Sequence, residues 1–255
     1  MINEYFSVVL SVFAASAAGL VGAFALMKKT VLAGDVMSHL AIPGLGLALL
    51  WSLNPILGGG TTLILGAIVI WQLEKKTTLS SDAAIGVIFA SSVALGALLI
   101  NSEEDLIDAL FGGFVKLSLN EFIFGMAVSI FVIVMLWILR NKLIIALFSE
   151  DLAAAMNIKT SSVNLWFLLL FALTILSGLQ FLGALLAGSL IIIPAAAARQ
   201  VTHSLGQFLA YSAIFAALSV VAGFALSSAY ELELGPTVVV VAAAIFAVAA
   251  IKRKK

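Results

Sequence analysis

The sequence predicts an all-α integral membrane protein of about nine transmembrane helices, with a short cytoplasmic helix and a short outer interfacial helix. Two observations carry that expectation. Of 255 residues, 63% are hydrophobic and only 10% charged, against roughly 25% charged in an ordinary soluble domain. Apolar runs of about twenty residues also follow one another along nearly the whole chain, each long enough to cross the roughly 30 Å hydrocarbon layer as a helix.

The polar breaks place spans near Tyr5 to Leu26, Val31 to Leu53, Ile56 to Leu73, Ala83 to Ile100, Glu121 to Leu139, Ser162 to Phe181, Leu182 to Ala198, Leu205 to Ala229 and Pro236 to Ile251. The sixth and seventh come from one apolar stretch, divided at Ser177 to Gly183 because a single helix of that length would be too tall for the bilayer. No polar stretch is long enough for a soluble domain, so residues 1–255 are read as one transmembrane domain.

Charge then orients the spans. With an odd number of crossings and the N-terminus outside, Lys28, Lys29, Lys75, Lys76, Arg140, Lys142, Lys159, Arg199, Lys252, Arg253, Lys254 and Lys255 fall on the cytoplasmic side, leaving only Lys116 of the 13 basic residues outside. Met1 to Phe6 carries Glu4 and no basic residue, so the first run reads as a span and not as a cleaved signal. A formal net charge of zero gives no reason to expect a nucleic-acid partner, and the absence of cysteine removes thiolate metal sites and thiol nucleophiles.

Ionisable groups within a span are costly and are functional candidates by default. Asp35 and His39 are such a pair, in Gly34-Asp35-Val36-Met37-Ser38-His39-Leu40-Ala41-Ile42-Pro43-Gly44. Four residues apart on a helix, they stack on one face about one turn from each other. A carboxylate oxygen and an imidazole nitrogen in one cavity suit zinc, manganese or ferrous iron, and two donors leave the rest of the shell to water, another helix or a second copy of the chain. Pro43 and Gly44 are expected to break the helix just past His39 and to free backbone carbonyls toward a pathway. On spacing alone the alternative stands: Asp35 starts a helix and His39 packs within it. His203, in a short polar turn, reads as a solvated loop residue.

Two segments outside the spans are expected to be helical. Ser149 can cap a helix whose first turn holds Glu150 and Asp151, and Asn157 can end it. That helix either lies on the membrane surface or enters a groove of a partner. Glu103 to Gly113 repeats apolar residues at helical spacing and reads as an interfacial helix on the outer side. Gly58-Gly59-Gly60-Thr61-Thr62 lacks the spacing and the lysine of a phosphate-binding loop, so the chain is not expected to hydrolyse ATP, and no enzymatic triad stands out.

With these segments in order, the chain resembles the metal-uptake family of ABC importer permeases, most closely its zinc permeases. The stretches that carry the resemblance are Gly34-Asp35 through Pro43-Gly44, Asp82-Ala83-Ala84-Ile85-Gly86, Leu110-Phe111-Gly112, Phe148 to Ile158, Phe181-Leu182-Gly183-Ala184-Leu185-Leu186 through Pro194 to Arg199, and Gly235-Pro236-Thr237-Val238-Val239. The resemblance implies a homodimeric permease with cytoplasmic ATP-binding subunits and an extracytoplasmic metal-binding receptor protein, in the bacterial cytoplasmic membrane. It implies metal-pathway roles for Asp35 and His39. It also implies a coupling helix to the ATPase at Ser149, Glu150, Asp151, Leu152, Ala153, Ala154, Ala155, Met156, Asn157 and Ile158. No permanently bound cofactor is expected; the ion, Zn2+ or else Mn2+ or Fe2+, is cargo. The other classes open to such a chain are a secondary metal transporter and a permease for a bulky organic chelate.

Overall fold

In the computed structural model, which describes residues 2–30, 33–78, 80–100 and 118–252, ten α-helices follow one another and no strand occurs among the described residues. They are α1 (Ile2–Met27), α2 (Ala33–Ser38), α3 (Ile42–Leu50), α4 (Pro55–Lys76), α5 (Ser81–Leu99), α6 (Leu119–Phe148), α7 (Glu150–Ala155), α8 (Thr160–Val201), α9 (Leu205–Tyr230) and α10 (Leu234–Lys252). Among the described residues seven apolar segments are long enough to cross a membrane, and two shorter apolar ones, Val36–Leu50 and Ala187–Val201, lie where the other two expected spans were placed. The predicted outer helix at Glu103 to Gly113 lies outside the described residues, as does Lys116.

Polar residues mark the helix starts. The side chains of Asn54, Ser80, Ser118, Ser149 and Ser204 each accept a backbone N–H of the first turn of α4, α5, α6, α7 and α9, satisfying donors that have no partner inside the helix. Ser118 and Glu121 form a reciprocal pair, the Glu121 carboxylate accepting from the Ser118 backbone N–H at 2.9 Å.

α1 lies inside the bundle, packing on α6, α8 and α9. Two-thirds of its apolar window is buried, against 17% for α5 at the periphery. In lipid there is no hydrophobic force between helices, so close van der Waals approach holds them, and small residues permit it. A Cβ on Gly22 of α1 would lie 1.9 Å from the Ile191 carbonyl oxygen. At the crossing of α3 and α4, a Cβ on Gly44 would lie 2.1 Å from the Gly58 oxygen, and one on Gly58 would lie 2.2 Å from the Gly44 oxygen. Gly44 is thus a packing contact, and the glycine run that could not bind phosphate brings two backbones together.

Two expectations are corrected. First, Arg140, Asn141 and Lys142 do not end the fifth span; α6 continues to Phe148 over 30 residues. Arginine and lysine are good helix formers, the Arg140 guanidinium lies 4.1 Å from the Trp137 ring centroid, and Leu143 beyond them is buried.

Second, no loop interrupts Ser177 to Gly183: helical backbone runs from Thr160 to Val201. The segment is nevertheless not a straight rod. A Cβ on Gly178 would lie 3.8 Å from the Ala187 Cβ, whereas nine residues of straight helix separate two positions by about 13.5 Å. The axis turns back between them, so Thr160–Leu179 and Ala187–Val201 lie side by side, and the reversal is made with helical residues instead of a polar turn.

The break expected beside His39, by contrast, is present: the second span is not one helix. A 3₁₀ turn over His39–Ala41 separates α2 from α3.

The glycine crossing and the α7 cap both yield tests. Gly58→Ala is expected to cost about 1–3 kcal/mol through overpacking. Gly86→Ala, whose Cβ would meet nothing within 4 Å, is expected to leave stability unchanged or raise it by up to about 1 kcal/mol; thermal unfolding of both variants in detergent compares them. Ser149→Ala removes the 3.1 Å bond from the Leu152 N–H and is expected to cost about 1 kcal/mol locally, read as roughly fivefold faster amide exchange at Leu152.

Candidate functional site

Pro43 has no N–H to donate to the His39 carbonyl four residues earlier, so the α-helical ladder fails there. The Ile42 N–H takes up that carbonyl in a 3₁₀ turn. Pro43 itself sits in the first turn of α3, where a missing donor costs nothing. The break therefore falls at His39 as the sequence suggests, but it does not leave the His39 carbonyl free.

His39 is half-buried at this break. Its ring meets Phe89 of α5 edge-on at 5.3 Å between centroids, and its Nδ1 lies 3.4 Å from the Ser38 hydroxyl. The imidazole is held from two sides, by an aromatic face and by a neighbouring hydroxyl. Asp35 falls on α2, but its side chain lies outside the described residues. Among the described residues no three His, Asp or Glu side chains gather into a metal cage, so any ion at His39 would complete its shell elsewhere.

At the opposite end of α6 the chain forms α7, capped by Ser149 and closed by Asn157 in the left-handed region at φ 56°. The Ile158 N–H bonds back to the Ala153 carbonyl at 2.8 Å, finishing the C-terminus. Ala153 is buried, while Phe148, Leu152 and Met156 stay exposed. Of the predicted segment, the Glu150 side chain alone lies outside the described residues. His203 is exposed, its N–H donating to Gln207 Oε1 at 3.3 Å.

One cluster was missed by sequence reasoning. The Lys28 ammonium donates to Asn164 Oδ1, and Asn164 Nδ2 donates to Glu74 Oε2. Burial pushes the Lys28 pKa below the ordinary lysine value, and the Glu74 carboxylate acts in the opposite direction. Trp71 Nε1 donates nearby to the Ser161 carbonyl at 2.8 Å and to its hydroxyl at 3.0 Å. A cavity of about 330 Å³ beside them is lined by Lys28, Trp71, Glu74, Asn164 and the end of α6, and not by His39. The available signal was Glu74 itself, an acid beside Lys75 and Lys76 at the end of an apolar helix.

Comparison with known proteins places this architecture. The chain is 31% identical to the high-affinity zinc uptake system membrane protein ZnuB of Haemophilus influenzae, over 92% of this chain and 91% of that protein. It is 28% identical to the manganese transport system membrane protein MntC of Listeria monocytogenes, over 95% and 88% respectively. The solved structure of PsaBC from Streptococcus pneumoniae in complex with Fab superposes with a TM-score of 0.85 at 28% identity, covering 98% of this chain and 91% of that one. Residues 5–253 match the family described as ABC 3 transport family. The chain therefore belongs to that family, as a multi-pass membrane permease subunit of an ABC transporter.

Proposed function

We infer that this permease imports a divalent transition-metal ion, zinc in the first place, by alternating access. The observation that carries the reading is the position of His39: an imidazole held at a helix break, inside a segment that is otherwise apolar. Asp35, one turn earlier in sequence, adds an oxygen donor. Imidazole with carboxylate is a donor set zinc accepts readily. Two protein donors hold an ion weakly, which suits a carrier that must release its cargo.

Manganese is the second reading, supported by the name of the Listeria relative and by the carboxylate, which suits manganese well; iron is a third. Membership in an ABC family leaves no ground for a secondary transporter. Two copies of the chain form the pathway in this reading. ATP-binding subunits meet α7, whose exposed Leu152 and Met156 offer apolar anchors, and a metal-binding receptor protein docks on the opposite face. The N-terminus faces outside, as the basic residues direct.

Two outcomes are expected. His39→Ala and Asp35→Ala should each lower uptake of radiolabelled zinc by at least about tenfold at unchanged membrane level. Unchanged uptake of zinc, manganese and iron in both variants removes the pair from the account and favours a chelate cargo. For orientation, the cysteine-free chain allows single labels: Tyr230→Cys should react with an impermeant maleimide in intact cells, and His203→Cys only in inverted vesicles.

A further inference from the structure

We propose that Asn164 is a positioning residue of the transport cycle, the joint through which displacement of α7 moves α1 and α4 together. This rests on the reading of α7 as the contact with the ATPase.

The geometry is that of a joint. Only Met156 to Lys159 separate α7 from α8, and that link is stiffened by the Ile158 bond back into α7 and by the Ser162 N–H bond to the Lys159 carbonyl at 3.0 Å. Movement of α7 is therefore passed to the first turns of α8. Those turns carry Ser161 and Asn164, and both are tied to other helices. Trp71 and Glu74 of α4 hold Ser161 and Asn164, and Lys28, at the end of α1, holds Asn164 from the other side. Lys28 also lies 5.4 Å from the Phe167 ring centroid of α8.

A neutral amide can serve both charges at once. Lysine has only donors and an ionised carboxylate only acceptors, so the bridge needs an acceptor on one side and a donor on the other. The arrangement also has somewhere to go. Its cavity gives the first turns of α8 room against Leu143, Ala146 and Leu147 of α6, and Glu74 Oε1, buried and without a hydrogen-bond partner among the described residues, is an acceptor that a shifted Asn164 can use. A buried polar group left unpaired in one state and paired in another biases an equilibrium between two arrangements.

The test uses the permease purified with its ATPase and reconstituted in proteoliposomes, with radiolabelled zinc and manganese as probes. Asn164→Leu keeps the approximate volume and removes both bonds. It should leave ATPase retention and ATP hydrolysis within about twofold of the unaltered complex while metal moved per ATP falls by at least about tenfold, a coupling loss of ordinary size. The double variant Asn164→Asp with Glu74→Gln keeps net charge and reverses the roles: the new carboxylate accepts from Lys28 and from the new amide. It should restore metal per ATP to within about threefold.

Unchanged metal per ATP in Asn164→Leu overturns the inference, and so does a loss that the double variant does not restore. If the ATPase fails to stay with the unaltered chain, the reading of α7 falls and the inference falls with it. If the ATPase stays in every variant and coupling is indifferent to Asn164, only the inference falls.

Discussion

Backbone contact between helices is the constraint on which the rest of this fold depends. Lipid gives two apolar helices no reason to associate beyond the van der Waals contact they make, so the distance of approach decides whether the bundle holds. At Gly44 and Gly58 the carbonyl of each helix lies where the other's Cβ would be. That crossing sets α3 on α4 immediately after the His39 turn. At Gly22 the Ile191 carbonyl occupies the same kind of space, locking the returning half of α8 onto α1. The Gly44 and Gly58 crossing therefore fixes the helix that begins directly after the histidine's turn.

Polar groups in the bundle follow the complementary rule that nothing goes unpaired at depth without a reason. The buried hydroxyls of Ser129, Thr174 and Ser212 return a hydrogen bond to the carbonyl four residues earlier, at 2.7 to 2.8 Å. The His39 carbonyl, stranded by Pro43, is recovered by Ile42. Against that background Glu74 Oε1, without a partner among the described residues, is an exception, and it lies in a charged network that ties α1, α4 and α8. The half-buried imidazole at the break in the chain's second span and the network at the α7 end are thus different kinds of polar feature: one sits between a neighbouring hydroxyl and an aromatic ring, the other joins three helices.

Much of this was legible in the sequence because hydropathy and caps are local. The apolar runs predicted the spans, and Ser149 and Asn157 delimited α7 within a residue, since a hydroxyl at the N-cap and a residue tolerant of the left-handed region leave little choice. Arg140 to Lys142 misled, because charge was read as an end of helix while the chain continues as helix past the charges. Ser177 to Gly183 misled differently: the reversal exists, but helical backbone makes it. The Lys28, Glu74 and Asn164 cluster joins three helices far apart in sequence, and no local pattern announces a contact of that kind. The pairing of Asp35 with His39 remains a statement of spacing, whereas the edge-on hold of Phe89 on the imidazole is tertiary and could be seen only in the fold.

The two short apolar segments have a consequence for how such a chain is made. Val36–Leu50 and Ala187–Val201 are each near 22 Å as helix, below the roughly 30 Å of a bilayer core. Neither has the length to partition from the translocation channel on its own account. Each must enter as the passenger of a longer neighbour, α4 for the first and the outgoing half of α8 for the second. A substitution that weakens α4 would therefore displace the segment that carries the histidine without altering that segment itself.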